Sequence, residues 1–157
     1  MFVRRGKLPE EIADFIPVGC YEPCVMGKEL CCSMSTLFNL AKAVELLMEN
    51  PAPPRDFGEL LERYLGLVRE KLDDALELTR RWELRWPEIN PSPLLSGTMD
   101  SCFEKGRDVS AAGTKYSSSG VMCAGLGSAA DSLTALRILL FEERRCTWEE
   151  LRATLKA

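Results

Sequence analysis

The sequence predicts an α/β protein that is mainly helical with few short strands. In much of the first half of the chain and near its C-terminus, apolar residues recur at spacings of three and four, which is typical of amphipathic helices. Prolines and glycines interrupt residues 8–24, and glycine, serine and alanine dominate residues 108–128, so a regular helix is excluded from both stretches. The 157 residues, 46% hydrophobic and 28% charged, are enough for one domain with an ordinary core.

The first half of the chain is predicted to contain one extended segment and two helices. Residues 8–24 begin as a polar turn and continue as a strand end or loop, because Pro and Gly break any helix there. The apolar stripe over residues 31–49 predicts a helix. A longer helix follows, in which Asp56 and Glu59 form a variant of the capping box at the start and Pro87 marks the end.

The second half is predicted to be a loop followed by helices. Its helices are expected near residues 98–105, 129–144 and 148–156, the last capped by Thr147 and Glu150. One short strand is expected around residues 114–116. Because this strand and the N-terminal one have no evident partner strands, and a lone strand cannot satisfy its backbone groups, the chain is expected to be part of a larger fold.

The composition excludes several classes of chemistry. The chain has no histidine, which removes Ser-His-Asp and Cys-His catalysis and every histidine-ligated metal site from it. Its net charge is −4 with the charges interspersed, so no basic face for nucleic acid is predicted. The charged N-terminus does not resemble a signal peptide, and no apolar run is long enough for a membrane span. Seven cysteines without an export signal predict free thiols in the cytoplasm.

Cys20, Cys24, Cys31 and Cys32 allow a metal-binding module as one interpretation. Their spacing argues against it, because structural zinc favours two well-separated close pairs and adjacent cysteines rarely reach one tetrahedral ion. The segment 120–127 contains two glycines but lacks the Lys and Ser or Thr of a phosphate loop. No metal-ligating or cofactor-binding residue is therefore predicted.

The candidate site is the segment Gly19–Pro23, which holds a cysteine two residues before a glutamate. In an extended segment Cys20 and Glu22 face the same side, and Gly19 allows a close approach. A neighbouring carboxylate raises the pKa of a thiol, so this cysteine is suited to one-electron chemistry, in which the S–H hydrogen atom is removed. Glu22 then remains available for acid–base work. A structural cysteine beside a surface glutamate is the alternative.

The segment GCYEP resembles the GCVEP cysteine loop of glycyl radical enzymes, the pyruvate formate-lyase-like group. Further stretches resemble the family in the same order along the chain: Gly27–Lys28, Phe38–Ala41, Cys102–Asp108, Ala130–Leu133 and Phe141–Glu143. The resemblance implies that residues 1–157 are a partial domain of this type. Its parts are a cysteine loop (8–30), a helical region (31–86), a loop and Gly/Ser-rich region (87–128) and C-terminal helices (129–157).

The resemblance implies a ten-stranded α/β barrel, of which this chain lacks the C-terminal glycyl radical region. Cys20 matches the thiyl cysteine and Glu22 the acid–base glutamate, with Gly19, Tyr21 and Pro23 supporting the loop. The pattern Cys-x-Glu is similar to that of the dehydratases and other C–X lyases, which act on small organic substrates.

The resemblance implies that the radical is stored on a glycine outside this chain and installed by a radical-SAM activating enzyme. The expected partners are that enzyme, the small-molecule substrate, the remainder of the barrel or a complementary chain, and a second copy in a homodimer. Neither nucleic acid nor a membrane is expected as a partner. The isolated chain is expected to be inactive, and a truncated, non-catalytic helical scaffold or interaction subunit is the alternative function.

Overall fold

The computed structural model describes residues 6–19 and 22–156, and in residues 32–34 it describes the backbone alone. In this part of the chain the strands are β1 (Phe15–Val18), β2 (Glu22–Val25), β3 (Glu29–Asn39) and β4 (Tyr116–Ala124). The α-helices are α1 (Leu40–Glu49), α2 (Phe57–Ile89), α3 (Pro93–Ser96), α4 (Asp100–Lys105), α5 (Leu126–Leu136) and α6 (Trp148–Lys156). The predicted class, mainly helical with few strands, is confirmed for these residues.

The chain divides into two compact units. One, which we call the hairpin unit, comprises Met1–Thr36 and Glu77–Met122, and the other, the helical unit, comprises Leu37–Leu76 and Cys123–Ala157. Helix α2 and strands β3 and β4 contribute residues to both. No helix within the described residues is long and apolar enough to span a membrane.

The hairpin unit is built on two strand pairs. Strands β1 and β2 pair antiparallel, with Phe15 opposite Val25 and Val18 opposite Glu22, and β3 pairs with β4. The expectation that the strands would lack partners is therefore wrong for the described residues. In the same unit, strands β3 and β4 are both hydrogen-bonded to helix α2. Thr79 bonds to Thr36 of β3, and Glu83 accepts a hydrogen bond from Ser119 of β4.

The helix predicted over residues 31–49 begins only at Leu40, so the first part of that prediction is wrong. The preceding residues form β3, because their backbone groups pair with β4. Asn39 marks the boundary: its side-chain oxygen accepts hydrogen bonds from the amides of Ala41 (3.0 Å) and Lys42 (3.3 Å), which satisfies the free N–H groups of the first helical turn. The bounds predicted for the short strand, 114–116, are also wrong, because β4 begins at Tyr116 and extends to Ala124, where it pairs with β3.

The capping box predicted at Thr147 and Glu150 is confirmed, and the one predicted at Asp56 and Glu59 is confirmed for Asp56 as the cap, whereas the Glu59 carboxylate accepts from the amide of Arg55 at 3.0 Å. Asp56 accepts from the Glu59 amide at 2.8 Å, while Thr147 and Glu150 cap each other reciprocally, with amide contacts of 3.2 and 2.8 Å. The prediction that Pro87 ends α2 is wrong, because the helix continues to Ile89. Pro87 lies in the last turn, where the amide of Asn90 still reaches the carbonyl of Trp86 at 2.9 Å, so the missing proline N–H interrupts little of the helix.

The core of the helical unit lies where α1 packs against α5. Small side chains at that contact, Ala43 and Ala129, are each 2% exposed. Leu60 of α2 is fully buried in the same cluster, and the indole N–H of Trp148 donates to the carbonyl of Asn50 at 3.0 Å. The other buried members of the cluster are Val44, Leu47, Met48, Tyr64 and Leu136. Helix α6 is thereby attached to the end of α1 by an apolar contact and a polar one.

Replacing Leu60 with Ala is expected to lower the free energy of unfolding of this chain by about 2–5 kcal/mol, because the side chain is fully enclosed and its loss leaves a cavity. Leu65→Ala removes the same atoms from a side chain of α2 that is 49% exposed, and is expected to cost roughly 0.5 kcal/mol or less. Urea denaturation followed by circular dichroism measures both. Equal losses for the two variants would show that Leu60 is not part of a packed core.

Candidate active site

The candidate site lies at the end of the β1–β2 hairpin. The strand register ends with Pro17 opposite Pro23 and Val18 opposite Glu22, so Gly19, Cys20 and Tyr21 connect the two strands along the chain. The predicted Gly19, Glu22 and Pro23 thus lie together at one end of the hairpin. Cys20 and Tyr21 lie outside the described residues, and their assigned roles stay predictions.

Gly19 has a backbone conformation that favours glycine and lies directly against the Glu22 carboxylate. Its φ of +57° lies in the left-handed region, which strains any residue with a Cβ. A Cβ built on Gly19 would lie 2.7 Å from Oε2 of Glu22, far inside van der Waals contact. The group that approaches Gly19 closely is therefore the carboxylate of this same hairpin.

Glu22 presents an unsatisfied acceptor at this end of the hairpin. Its side chain is half-buried, and Oε2 is shielded from water without a hydrogen-bond partner among residues 6–19 and 22–156. A buried carboxylate oxygen without a donor is costly. Such an oxygen is available to accept a hydrogen bond, or a proton, from a hydroxyl group placed beside it.

Two cysteine thiols beside the hairpin are held in the protonated form. Cys24 is 4% exposed, and its Sγ donates to the carbonyl of Glu29 at 3.2 Å. Burial, reinforced by the charge of Glu29, raises the pKa of Cys24 to about 11. The pKa of Cys31 is also raised, first by burial and then by Glu29 and Glu22.

The described residues contain no group of three or more Cys, Asp or Glu side chains arranged to hold a metal ion. Cys20 and the side chain of Cys32 lie outside that search. The metal-binding interpretation therefore gains no support from the cysteines whose side chains the structure describes.

A buried carboxylate, Glu11, attaches the base of the hairpin to the start of β4. One oxygen contacts the ammonium groups of Lys115 at 2.8 Å and Lys28 at 3.3 Å, and the other accepts from the phenol of Tyr116 at 2.6 Å. The hydrogen bonds from Lys115 and Tyr116 lower the pKa of Glu11 to about 2. At neutral pH the carboxylate is therefore fully ionised among its donors.

A second ion pair fixes the strand that follows the hairpin. Lys7 pairs with Glu29, whose Oε2 also accepts from the amide of Val25 at 2.9 Å. The ammonium of Lys7 lies 5.7 Å from the centre of the Tyr116 ring, within the range of a cation–π contact. Sequence reasoning missed Lys7, Glu11 and Glu29, because no local motif relates them to the residues that they contact.

The segment Cys102–Asp108 has a structural role in the hairpin unit. Asp108 accepts from the hydroxyls of Ser110 (2.6 Å) and Ser96 (2.7 Å) and from the amide of Ser92 (3.0 Å). These bonds lower its pKa to about 2, the Ser110 hydroxyl contributing most. Nearby, the amide of Asp100 donates to the carbonyl of Gly27 at 3.0 Å, so α4 is joined to the turn that follows β2.

Over residues 1–157 the chain matches the family model described as pyruvate formate lyase-like. The chain belongs to this family. The resemblance inferred from its motifs is confirmed, and the known relatives that it matches include dehydratases. It is 26% identical to (2S)-3-sulfopropanediol dehydratase of Klebsiella oxytoca over 98% of this chain and 21% of the relative. It is 28% identical to trans-4-hydroxy-L-proline dehydratase of Clostridioides difficile over 99% of this chain and 22% of the relative.

Solved structures agree with this membership. The B12-independent glycerol dehydratase from Clostridium butyricum superposes with a TM-score of 0.85 at 27% identity, over 99% of this chain and 22% of that one. The structure described for 1,2-propanediol dehydration in Roseburia inulinivorans superposes with a TM-score of 0.86 at 25% identity, over 98% of this chain and 20% of that one. The chain therefore spans about a fifth of the length of the relatives that it matches.

Stability is expected to fall as the pH is lowered from about 5 to about 2, in part through Glu11. Its pKa is lowered from 4.5 to about 2 on folding, so the folded state binds fewer protons than the unfolded state in this range. The stabilisation is complete above the unfolded pKa and is lost as the pH falls through the folded one. Glu11→Gln is expected to make the decline shallower, as measured by urea denaturation at a series of pH values.

The matched control for this experiment is Glu10→Gln, which changes an exposed neighbour of Glu11 and should leave the decline unchanged. Asp108 and Glu59, whose pKa values are also lowered to about 2, account for the pH dependence that remains in Glu11→Gln. An identical pH dependence in Glu11→Gln and the unmodified chain would contradict the assigned ion cluster.

Proposed function

We propose that this chain supplies the cysteine–glutamate hairpin of a glycyl radical dehydratase, or related C–X lyase, that acts on a small hydroxylated substrate. The observation that carries the proposal is the shielded, unpartnered Oε2 of Glu22 beside Gly19 at the end of the hairpin. Membership of the pyruvate formate lyase-like family and the dehydratase names of its relatives support it. Cys20, next to Gly19 in sequence, is the proposed thiyl residue.

The proposed reaction divides the work between the two residues. The radical is stored on a glycine outside this chain. Once Cys20 has lost its S–H hydrogen atom, its sulfur takes a hydrogen atom from a substrate C–H bond and later returns one to the product. With a substrate that has hydroxyls on adjacent carbons, Glu22 accepts the proton of the hydroxyl that is retained as a carbonyl, and the departing hydroxyl takes up a proton and leaves as water. With trans-4-hydroxy-L-proline, whose single hydroxyl lies next to an amine-bearing carbon, Glu22 would accept the amine proton instead, and the products would be an imine and water. In both cases neither residue is consumed.

The proposed function requires more protein than this chain. We infer that the hairpin lies inside a ten-stranded α/β barrel completed by the remainder of the enzyme or a complementary chain. A radical-SAM activating enzyme would install the radical. The superposition on about a fifth of a solved glycerol dehydratase supports the part of this proposal that makes the chain a segment of a larger enzyme. The named substrates of the relatives and structures define the probes: glycerol, propane-1,2-diol, (2S)-3-sulfopropanediol and trans-4-hydroxy-L-proline.

The proposal is tested with Cys20→Ala and Glu22→Gln in the complete, activated enzyme that contains this segment. Cys20→Ala is expected to keep the EPR doublet of the stored radical and to lose turnover, because hydrogen abstraction from the substrate is no longer relayed. Glu22→Gln keeps the thiol and the side-chain shape. Because it removes proton transfer, it is expected to lower turnover by roughly a hundred- to ten-thousand-fold. Product formation is measured with the four probe substrates.

Glu10→Gln, a change of an exposed carboxylate on the same segment, is the control and should keep full turnover. Normal turnover in Cys20→Ala would overturn the radical role. Normal turnover in Glu22→Gln alone would move the acid–base group to another residue. If the complete enzyme cannot be activated to carry the stored radical and converts none of the four probes, the non-catalytic scaffold or interaction subunit becomes the better explanation.

A further expectation concerns Gly19→Ala, for which Gly106→Ala is a closely matched control. Both glycines have a φ of +57°, but a Cβ on Gly106 would meet nothing within 4 Å, whereas one on Gly19 would displace the Glu22 carboxylate. The backbone strain, roughly 1–2 kcal/mol, is therefore similar in the two variants. Turnover in the complete enzyme should fall steeply only for Gly19→Ala, and equal turnover in the two variants would show that the carboxylate position is unimportant.

A further inference from the structure

We infer that Glu11 is a positioning residue for the reaction. It attaches both stems of the β1–β2 hairpin, which are the segment that leads into β1 and the turn that follows β2, to the start of β4. It thereby sets where Cys20 and Glu22 meet the substrate. This inference rests on the proposed function. Glu11 is itself assigned no contact with substrate. Its effect is exerted through the strands, and the contacts that carry the inference all lie within the hairpin unit.

The first stem is held directly. Glu11 precedes the short 3₁₀ turn Ile12–Asp14, which runs into β1, and the amide of Asp14 donates to the Glu11 carbonyl at 3.1 Å. The Tyr116 phenol bonds to the Glu11 carboxylate at 2.6 Å and also accepts from the amide of Leu8 at 3.2 Å. The approach to β1 is thus tied at two points to a single side chain of β4.

The second stem is held through Lys28. This residue is the last of the turn after β2, its amide donates to the carbonyl of Val25 at 3.2 Å, and its ammonium lies 3.3 Å from Glu11. Its own carbonyl accepts from the amide of Tyr116 at 2.9 Å. The turns on the two sides of the hairpin are also joined by the Met26 amide, which donates to the carbonyl of Asp14 at 3.0 Å. Both stems therefore converge on Glu11 and Tyr116.

The charges make Glu11 the centre of this cluster. Lys28 and Lys115 both direct their ammonium groups at one oxygen of its carboxylate. Without that negative charge, the ammonium groups of Lys28 and Lys115 would lose their shared partner and face each other, and because their side chains are 27% and 41% exposed they can move apart into solvent. The neutral variant is therefore expected to separate Lys28 from Lys115 and so to release the second stem from β4.

A shifted stem has a direct kinetic consequence. Hydrogen abstraction requires the sulfur and the substrate carbon to be aligned at close range, and displacements of about 1 Å lower rates on the order of a hundredfold. A general loss of folded enzyme lowers the number of active molecules but leaves the rate-limiting step unchanged. A misplaced hairpin slows the C–H cleavage step itself, and an isotope effect distinguishes these two cases.

The experiment uses the complete, activated enzyme and the probe substrate that it converts, with and without deuterium at the carbon that loses hydrogen. Glu11→Gln is expected to lower kcat per radical, quantified by EPR, by roughly ten- to a hundredfold, and to raise the deuterium isotope effect on kcat. Tyr116→Phe keeps every charge and removes only the two hydroxyl contacts. It is the second variant in case Glu11→Gln does not fold, and is expected to shift both quantities in the same direction by less.

Amide hydrogen–deuterium exchange provides an independent readout. Glu11→Gln should speed exchange in peptides covering residues 15–25 and leave α1 and α5 unchanged, while Glu10→Gln should leave both regions and the kinetics unaltered.

A lower kcat with an unchanged isotope effect in the folding-competent variants would assign Glu11 a structural role only and overturn the inference, as would unchanged kinetics. Loss of turnover in Cys20→Ala and Glu22→Gln together with normal kinetics in Glu11→Gln and Tyr116→Phe would overturn the positioning role alone. Full turnover in Cys20→Ala and Glu22→Gln would instead overturn the proposed function.

Discussion

The carboxylate of Glu11 is the interaction on which the geometry of the candidate site depends. It is buried, it uses both oxygens, and its donors come from the turn after β2 and from the start of β4. A two-stranded hairpin by itself is only marginally stable in water, so its ends must be held by contacts with the rest of the fold. Glu11, with the neighbouring Lys7–Glu29 pair, provides these contacts at the base of the hairpin. The residues that connect the two strands are therefore not needed for this attachment and remain available for the candidate site.

The carboxylate at the end of the hairpin differs from those at its base in its hydrogen bonding. At the base, every carboxylate oxygen of Glu11 and Oε2 of Glu29 has a donor, whereas Oε2 of Glu22 has none among the described residues. A side chain at Gly19 would require that oxygen to move away. Two neutral hydroxyls, those of Ser101 and Thr114, are also buried without a partner among the described residues, and Glu22 differs from them in being a carboxylate. A local stability cost of this kind is expected at a reactive site.

Two of the motif residues that carry the family resemblance, Asn39 and Asp108, have structural roles. Asn39 caps α1, and a Cβ on Gly125 would lie 2.9 Å from the Asn39 side-chain oxygen, which fixes the start of α5 against that cap. Asp108 ties together residues around α3 and the following 3₁₀ turn. These residues hold the framework in one arrangement, so their presence identifies the family without identifying a substrate.

The sequence by itself determined the features that depend on neighbours along the chain. Helix starts at Asp56 and Thr147 were predicted because capping is a contact between residues three positions apart, and the order of the motifs was sufficient to predict the family. The apolar stripe over residues 31–49, however, predicted the start of α1 too early. Residues 29–39 carry apolar side chains that fit a helical pattern, but in the structure they form β3 because they pair with β4.

Only the tertiary structure decided the contacts that hold the candidate site. Tyr116 and Glu11 are 105 residues apart in the sequence, and no local pattern predicts that a phenol and two ammonium groups will meet this particular carboxylate. The close approach of Glu22 to Gly19 is likewise set by the strand register and by the positive φ of the glycine. Periodicity and capping are short-range and can be deduced from sequence, whereas ion pairs between distant segments form only after the chain has folded and excluded water from them.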